Sequence, residues 1–454
     1  MPTILIIVGI TGDLSRRKLL PAIAEMAAAG VLPEKFEIIG ITRKNDVVLH
    51  DLFEKAEHAE YLEMRTELFP MSLEETSDYM RLGAHLEEVD AALGGGAQRL
   101  WYLAVPPKTA WPIIEHLGSS GLSKARTTKL LLEKPFGVDS ASAEELVAHV
   151  ESSFSPEQVY RIDHYLAKET VQNIVVFRSD NPLFEHTWNG ENIERIDIVA
   201  SESIGIEDRA AFYEQTGALR DLIQSHLLQL AALTLMKLPK EDDLHAIPEA
   251  RHALLKTLAV DPDGVILGQY EGYKDEVGNP DSNVETFASV RLRSSDPRWK
   301  DVPITLTTGK ALAEKKTEII VTYRHADTQK ANRLTLRLQP DEGVELCFFA
   351  KRPGYDHIIE RVPLSFSYAE HFEMLPDAYE RVFLDALRGD HTLFASSGEV
   401  IESWRITDAA REAWRVKNVP PVTYARGSAP KGAVIACDAC TVAPQEQPFT
   451  GILQ

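Results

Sequence analysis

Cysteine is scarce in this chain: Cys347, Cys437 and Cys440 are three residues among 454. So few support no disulfide framework and point to a reducing compartment. Cys437 and Cys440 form a Cys-x-x-Cys. No second ligand pair stands at metal spacing and no strand-turn-helix context surrounds them, so they read as part of an exposed tail and no metal is expected. Positive charge is also in short supply. The 48 Lys and Arg against 69 Asp and Glu leave a net charge of −21, which argues against nucleic acid or an anionic membrane as partner. Long hydrophobic runs are missing too. The apolar stretch Thr3–Val8 is too short to span a bilayer and lacks a basic leader, so neither anchor nor signal peptide is expected, and the cytoplasm is the expected location.

What is present suits a soluble globular chain, with 44% hydrophobic and 26% charged residues over a length that favours two cores. Thr3–Val8 reads as a parallel strand buried on both faces, broken by Gly9 and Gly12 and followed by a helix over 14–29. A strand at Phe36–Thr42 completes a βαβ unit. A strand over 99–105, a helix over 111–117 and a strand over 128–132 continue the alternation. The pattern predicts an α/β, Rossmann-like dinucleotide-binding domain over 1–160. Period-two stretches over 194–200, 287–293, 318–323 and 333–338 then predict an α+β domain over 161–425 with a large, mostly antiparallel sheet. The small residues, Pro and Gln of 426–454 predict a loosely ordered tail.

Four stretches carry chemistry. Gly9-Ile10-Thr11-Gly12-Asp13-Leu14-Ser15 lies between strand and helix, where free backbone N–H groups would meet a pyrophosphate, although it lacks the G-x-G-x-x-G spacing. The second strand ends in Thr42-Arg43-Lys44 instead of an acidic residue, and an Arg there suits the 2′-phosphate of NADP better than the hydroxyl of NAD. Glu133-Lys134-Pro135-Phe136-Gly137 follows a strand at its carboxyl end, where Lys134 can touch both cofactor and substrate. Arg161-Ile162-Asp163-His164-Tyr165-Leu166-Ala167-Lys168-Glu169 is the densest polar cluster. If it turns helical at Asp163, His164 and Lys168 stand at i and i+4, converging with Tyr165 on a phosphate. In an acidic protein such local cations must outweigh a screened long-range repulsion. His226, among Leu222, Ile223 and Leu230, reads on its own as a buried core histidine. A dehydrogenase of alcohols would nevertheless use such a residue as base, with Asp163 as its carboxylate partner.

These stretches together resemble the glucose-6-phosphate dehydrogenase family. Residues 9–21, with Arg17, Lys18 and Pro21, resemble its Gly-x-x-Gly-Asp-Leu-x-x-Arg-Lys-Leu-x-Pro loop; 161–169 resemble its active-site signature, 133–137 its Lys-bearing strand end and 221–229 the region of its catalytic His. Asp281-Ser282-Asn283-Val284-Glu285-Thr286, Trp299 with Val302-Pro303, Gly309-Lys310-Ala311-Leu312 and Ala378-Tyr379-Glu380-Arg381 extend the match to about residue 415. The resemblance implies oxidation of β-D-glucose 6-phosphate at C1 to 6-phosphoglucono-δ-lactone, with hydride passing to NADP, or less favourably NAD. It implies His226 as base, Asp163 orienting it, and His164, Tyr165 and Lys168 on the phosphate. Lys134 would bridge sugar and cofactor with Lys18 close by, Glu202 and Asp221 would bind sugar hydroxyls, and Lys310 and Lys315 would close the site. It further implies that Gly9 to Ser15, Arg16, Arg43, Tyr102 and Lys134 bind cofactor, and that the chain forms a homodimer or homotetramer. Three positions depart from the family pattern: Ala167 stands for a usual Gly, Arg178-Ser179-Asp180-Asn181 for Arg-Phe-Ala-Asn, and Thr307 for a common Arg. Ala167 is a mild change if that residue is helical. The rival readings are a dehydrogenase of an unphosphorylated sugar, which gives no reason for the His164–Lys168 cluster, and a catalytically silent NADP-binding sensor, which gives none for His226 with Asp163.

Overall fold

The computed structural model describes residues 1–125, 127–240, 243–326, 330–372, 376–433 and 440. The chain forms two compact units. The first comprises Met1–Glu169, Pro239–His252 and Pro376–Glu402, and the second Thr170–Leu238, Ala253–Leu375 and Ser403–Gln454.

In the first unit six strands run parallel: β1 (Thr3–Val8), β2 (Phe36–Thr42), β3 (Thr66–Pro70), β4 (Gln98–Leu103), β5 (Thr128–Glu133) and β6 (Val159–Ile162). Their spatial order is 3-2-1-4-5-6, the doubly wound dinucleotide-binding arrangement with its switch point between β1 and β4. Every residue of β1 and β4 is buried, as central strands of a parallel sheet require, the polar Gln98 and Arg99 at the start of β4 included. A short strand, Phe394–Ala395, returns from far along the chain and pairs antiparallel with β6, placing Phe394 opposite Ile162. Arg251 holds that return. Its buried guanidinium pairs with Glu399 at 2.7 Å and donates to the carbonyls of Thr392 and Phe394 at 2.6 and 2.7 Å.

The second unit is built on β7 (Ile193–Ser201), β8 (Leu258–Tyr270), β9 (Phe287–Ser294), β10 (Ile304–Gly309), β11 (Lys316–Tyr323), β12 (Arg333–Gln339), β13 (Gly343–Lys351) and β14 (Ile359–Ser367), with Val422–Tyr424 as a ninth strand. The order is 14-13-12-11-7-10-9-8, then Val422–Tyr424. The pairs β7–β10 and β8 with Val422–Tyr424 are parallel, and the other neighbours are antiparallel. Tyr213, Tyr270, Tyr273, Phe287 and Tyr424 pack into one buried cluster with Ile206 and Leu312. The hydroxyls of Tyr273 and Tyr424 reach Glu214 and the Lys310 carbonyl at 2.6 and 2.7 Å, so the rings can be buried without stranding their polar tips.

Three expectations change. Residues 163–168 form a turn and not a helix, which begins only at Glu169. Asp163 decides this: its carboxylate accepts the Tyr165 N–H at 3.0 Å, a local side-chain bond that competes with helix formation. Ala167 is therefore not helical; it is buried in the turn with an ordinary negative φ, so the usual Gly is not needed for conformation. The sulfurs of Cys347 on β13 and Cys440 are paired as a disulfide, with Cα atoms 5.7 Å apart, where none was expected from so few cysteines. Folding brings together residues 93 positions apart, which spacing could not reveal. Cys437 and most of the tail from 426 to 454 lie outside the described residues.

Candidate active site

The first unit gathers groups at the carboxyl ends of its strands. Gly9 leaves β1 with φ +90°, and a Cβ there would stand 2.6 Å from the Ala104 carbonyl oxygen beyond β4, so only glycine fits. The Gly12 N–H donates to the Gly9 carbonyl at 2.9 Å, and the Ser15 hydroxyl to the same oxygen at 3.0 Å, shaping a tight loop. A single π-helical turn, Ser15–Leu19, follows and runs into the helix Leu20–Ala28 in place of one uniform helix. Ile10 is buried against Gly40; Asp13 is exposed and pairs with Arg17 at 2.6 Å. Thr11 and Leu14 are half-buried, and Arg16 buries its Nε. Lys18 is half-exposed and lies 3.3 Å from Asp377. Arg43 is exposed just past the end of β2, where the Lys44 N–H caps onto Thr42 Oγ1 at 3.1 Å.

At the end of β5 two phenols meet one carboxylate. Tyr102 and Tyr379 both hydrogen-bond Glu133, the residue before Lys134. Burial pushes the Glu133 carboxyl up from its ordinary range, while the two phenols and Lys134 pull it back toward the charged form. Burial, reinforced by Glu133, raises both tyrosines. Tyr102 is wholly buried and its hydroxyl donates to Glu133. Just past β6, the turn at 163–168 gathers its donors: the Lys168 ammonium lies 4.3 Å from the centre of the Tyr165 ring, and the His164 ring centre lies 5.3 Å from that of Tyr165, tilted, and 6.4 Å from that of Tyr379, nearly parallel. Asp163 is buried, and its charge is felt by Glu133 and Tyr379.

The second unit holds His226, 2% exposed, in a π-helical segment, Leu219–Leu227, that continues as the helix Leu228–Leu235. Wide π turns recur at functional sites because they re-aim side chains. Glu285 seals the start of the segment. Its carboxylate accepts the Leu219 N–H at 3.1 Å and its carbonyl the Ala218 N–H at 3.0 Å, against Gly217 at φ +66° where a Cβ would clash with that carboxylate. Burial raises the Glu285 carboxyl, and hydrogen bonds from its own N–H and the Leu219 N–H act against it. At the other end Arg178 is buried over Trp188 and donates to the Leu233 and Met236 carbonyls at 2.6 and 2.7 Å, anchoring the helix that follows His226; its segment departs from the family pattern only at the neighbouring Ser179 and Asp180. Thr307, the other departure, is buried with its hydroxyl 3.0 Å from Ser289.

Glu202, at the end of β7, forms an ion pair with Lys310, which is buried and lies 5.4 Å from the Tyr213 ring centre. Asp221 and Glu202 both act on the Tyr213 phenol, whose pKa burial drives up. The second unit therefore brings Glu202, Asp221, Tyr213 and Lys310 into one polar group. Lys315 is exposed in the turn before β11. Asp163 belongs to the first unit and His226 to the second. Sequence reasoning assigned no role to Glu133, Tyr213, Glu285 or Tyr379. The recognisable stretches Asp281–Thr286 and Ala378–Arg381 did contain Glu285 and Tyr379, but a role for either depends on contacts far away in the chain.

A parallel sheet in the order 3-2-1-4-5-6, with a glycine loop at its switch point, defines a nicotinamide-dinucleotide-binding protein of the oxidoreductase class. Two family models match in succession: the NAD binding domain of glucose-6-phosphate dehydrogenase over residues 6–173 and its C-terminal domain over 175–438. The chain belongs to the glucose-6-phosphate dehydrogenase family. It is 36% identical to glucose-6-phosphate 1-dehydrogenase of Chlamydia muridarum over 480 residues, covering 95% of this chain and 94% of that protein. It is 37% identical to glucose-6-phosphate 1-dehydrogenase 2 of Mycobacterium bovis, covering 92% and 90%. A solved glucose-6-phosphate dehydrogenase in complex with its substrate glucose-6-phosphate is similar at TM-score 0.88 and 30% identity, covering 95% and 96%. The crystal structure of glucose-6-phosphate 1-dehydrogenase from Mycobacterium avium is similar at 0.81 and 30%, covering 94% of each.

Proposed function

We propose that the chain oxidises D-glucose 6-phosphate at C1 to 6-phospho-D-glucono-1,5-lactone with NADP as hydride acceptor. The observation that carries this reading is the turn after β6, where His164, Tyr165 and Lys168 gather at the carboxyl edge of the dinucleotide-binding sheet. Such donors suit a phosphate, and an unphosphorylated sugar would give them nothing to hold. The Gly9 loop, closed to any Cβ, supports the pyrophosphate site, and Arg43 beyond β2 supports a 2′-phosphate in preference to a ribose hydroxyl. Bound there, the nicotinamide supplies the hydride acceptor.

The rest falls to side chains. His226 takes the proton from the C1 hydroxyl, and Asp163 orients the imidazole and stabilises its cation. Lys134, steadied by the Glu133 carboxylate next to it, bridges sugar and cofactor, with Lys18 nearby. Glu202 and Asp221 bind sugar hydroxyls, and Lys310 and Lys315 close the site from the second unit. Among the described residues no helix is long and apolar enough to cross a membrane. We assign a homodimer or homotetramer joined through the large sheet, whose edge strand β14 exposes Ile359, Val362 and Leu364 beside Phe348.

The test is nicotinamide reduction followed by absorbance, with glucose 6-phosphate or glucose as substrate and NADP or NAD as acceptor. Turnover confined to the phosphorylated sugar and faster with NADP is expected. Equal rates with glucose would move the assignment to an unphosphorylated-sugar dehydrogenase, and no turnover with either sugar would favour a cofactor-binding sensor.

A further inference from the structure

The cysteines take no part in this chemistry, yet two of them meet. Cys347 on β13 and Cys440 are 5% and 3% exposed, and the carboxylate of Glu345 completes the group: all three ligand atoms lie within 4.8 Å of one another. Glu345 and Cys347 are two residues apart on one strand, so they share a face of the sheet. A disulfide has no need of that carboxylate. A thiophilic divalent cation does, since it would draw two thiolates and one carboxylate oxygen into a single set of ligands. A tetrahedral zinc with bonds of about 2.0–2.3 Å sets its ligand atoms roughly 3.3–3.8 Å apart, a spacing the two sulfurs reach once reduction lets them move out of bonding distance, while all three groups already lie within 4.8 Å of one another. Charge also balances. Two thiolates and a carboxylate around a dication leave one net negative charge, and Arg333 on β12 sits directly opposite Cys347 in the strand register. In sequence, Cys440 closes a Cys-x-x-Cys with Cys437, the spacing by which structural zinc sites take two thiolates from one short stretch, although Cys437 lies outside the described residues.

We propose that, with its cysteines reduced, the protein binds one zinc ion through Cys347, Cys440 and Glu345, fastening residue 440 to β13 next to the edge strand β14. The site is structural and separate from the dehydrogenase residues, so it does not depend on the reading given above for the active site.

The experiment uses the full chain purified anaerobically with a phosphine reductant, loaded with zinc and dialysed against metal-free buffer. Atomic emission should find about one zinc per chain, and cobalt in its place should give a thiolate-to-metal charge-transfer band. Cys347→Ser should abolish both signals, and Glu345→Gln should weaken zinc binding about tenfold or more against a chromophoric chelator. Zinc should also shield two thiols from alkylation in wild type, a readout that does not require any variant to fold. Absence of stoichiometric zinc from the reduced wild type would overturn the proposal. So would full zinc retention in Cys347→Ser, or a single titratable thiol in the denatured, never-oxidised protein, which would mean that the disulfide occupies the pair permanently.

Discussion

His226 sits almost wholly out of water in a π-helical segment, as an ordinary core histidine would, and its assignment as base rests on what its replacement should do. His226→Asn should lower kcat by roughly 10²–10⁴-fold, with KM for the sugar near its original value, because proton removal matters mainly in the transition state. Steady-state kinetics on a variant with unchanged circular dichroism checks this, and retention of most turnover would remove His226 from the role. Lys168→Ala should show the opposite pattern, a raised KM and a reduced preference for glucose 6-phosphate over glucose, because a phosphate is charged in ground and transition states alike. A variant as selective as wild type would free Lys168 from phosphate binding. Arg43 is exposed past β2, and under the proposed NADP reading its guanidinium pairs with the 2′-phosphate. Arg43→Ala should raise KM for NADP much more than for NAD, and equal effects would mean that the 2′-phosphate is read elsewhere.

Among the elements, the helix Leu228–Leu235 behind His226 is the informative one. Its last carbonyls have no partner within the helix, and Arg178 supplies two of the missing donors from inside the core. Arg178→Leu should leave those buried oxygens unpaired and cost roughly 2–4 kcal/mol, taking each orphaned group at about 1–3 kcal/mol with partial relaxation. The midpoint of urea unfolding measures it. A loss below about 0.5 kcal/mol, within the range of ordinary surface substitutions, would mean that water replaces the guanidinium. In the sequence Arg178 stood out only through its neighbours Ser179 and Asp180, which depart from the family pattern, since its carbonyl partners lie 55 and 58 residues further on. The turn at 163–168 is the converse case. Its composition announced a donor cluster correctly, but i,i+4 spacing suggested a helix where the Asp163 carboxylate instead bonds the Tyr165 N–H.

For the molecule as a whole, the open question is what covers β14. Ile359 and Leu364 are 47% and 59% exposed on an edge strand, an arrangement natural proteins usually cover. Light scattering at micromolar concentration should give a mass at least twice the 50.6 kDa of one chain. Leu364→Glu should shift it toward one chain by burying an unpaired carboxylate in the interface. A wild-type mass near 50.6 kDa would show that β14 faces solvent.

Local order carried the first unit. The continuous apolar run of β1, the paired glycines between strand and helix, and Arg43 in the acidic position follow from side-chain periodicity and backbone freedom, which act over a few residues and are therefore visible in sequence. The polar groups of Asp163 to Lys168 and the period-two strands of the second unit were legible for the same reason. Tertiary structure alone decided the long-range pairings. Phe394 beside Ile162, Tyr379 and Tyr102 on Glu133, Glu285 at the start of the His226 segment and Cys347 against Cys440 each join residues whose spacing carries no signal. Those contacts exist because burying a carboxylate, a phenol or a guanidinium forces it to find a partner wherever the packed chain provides one.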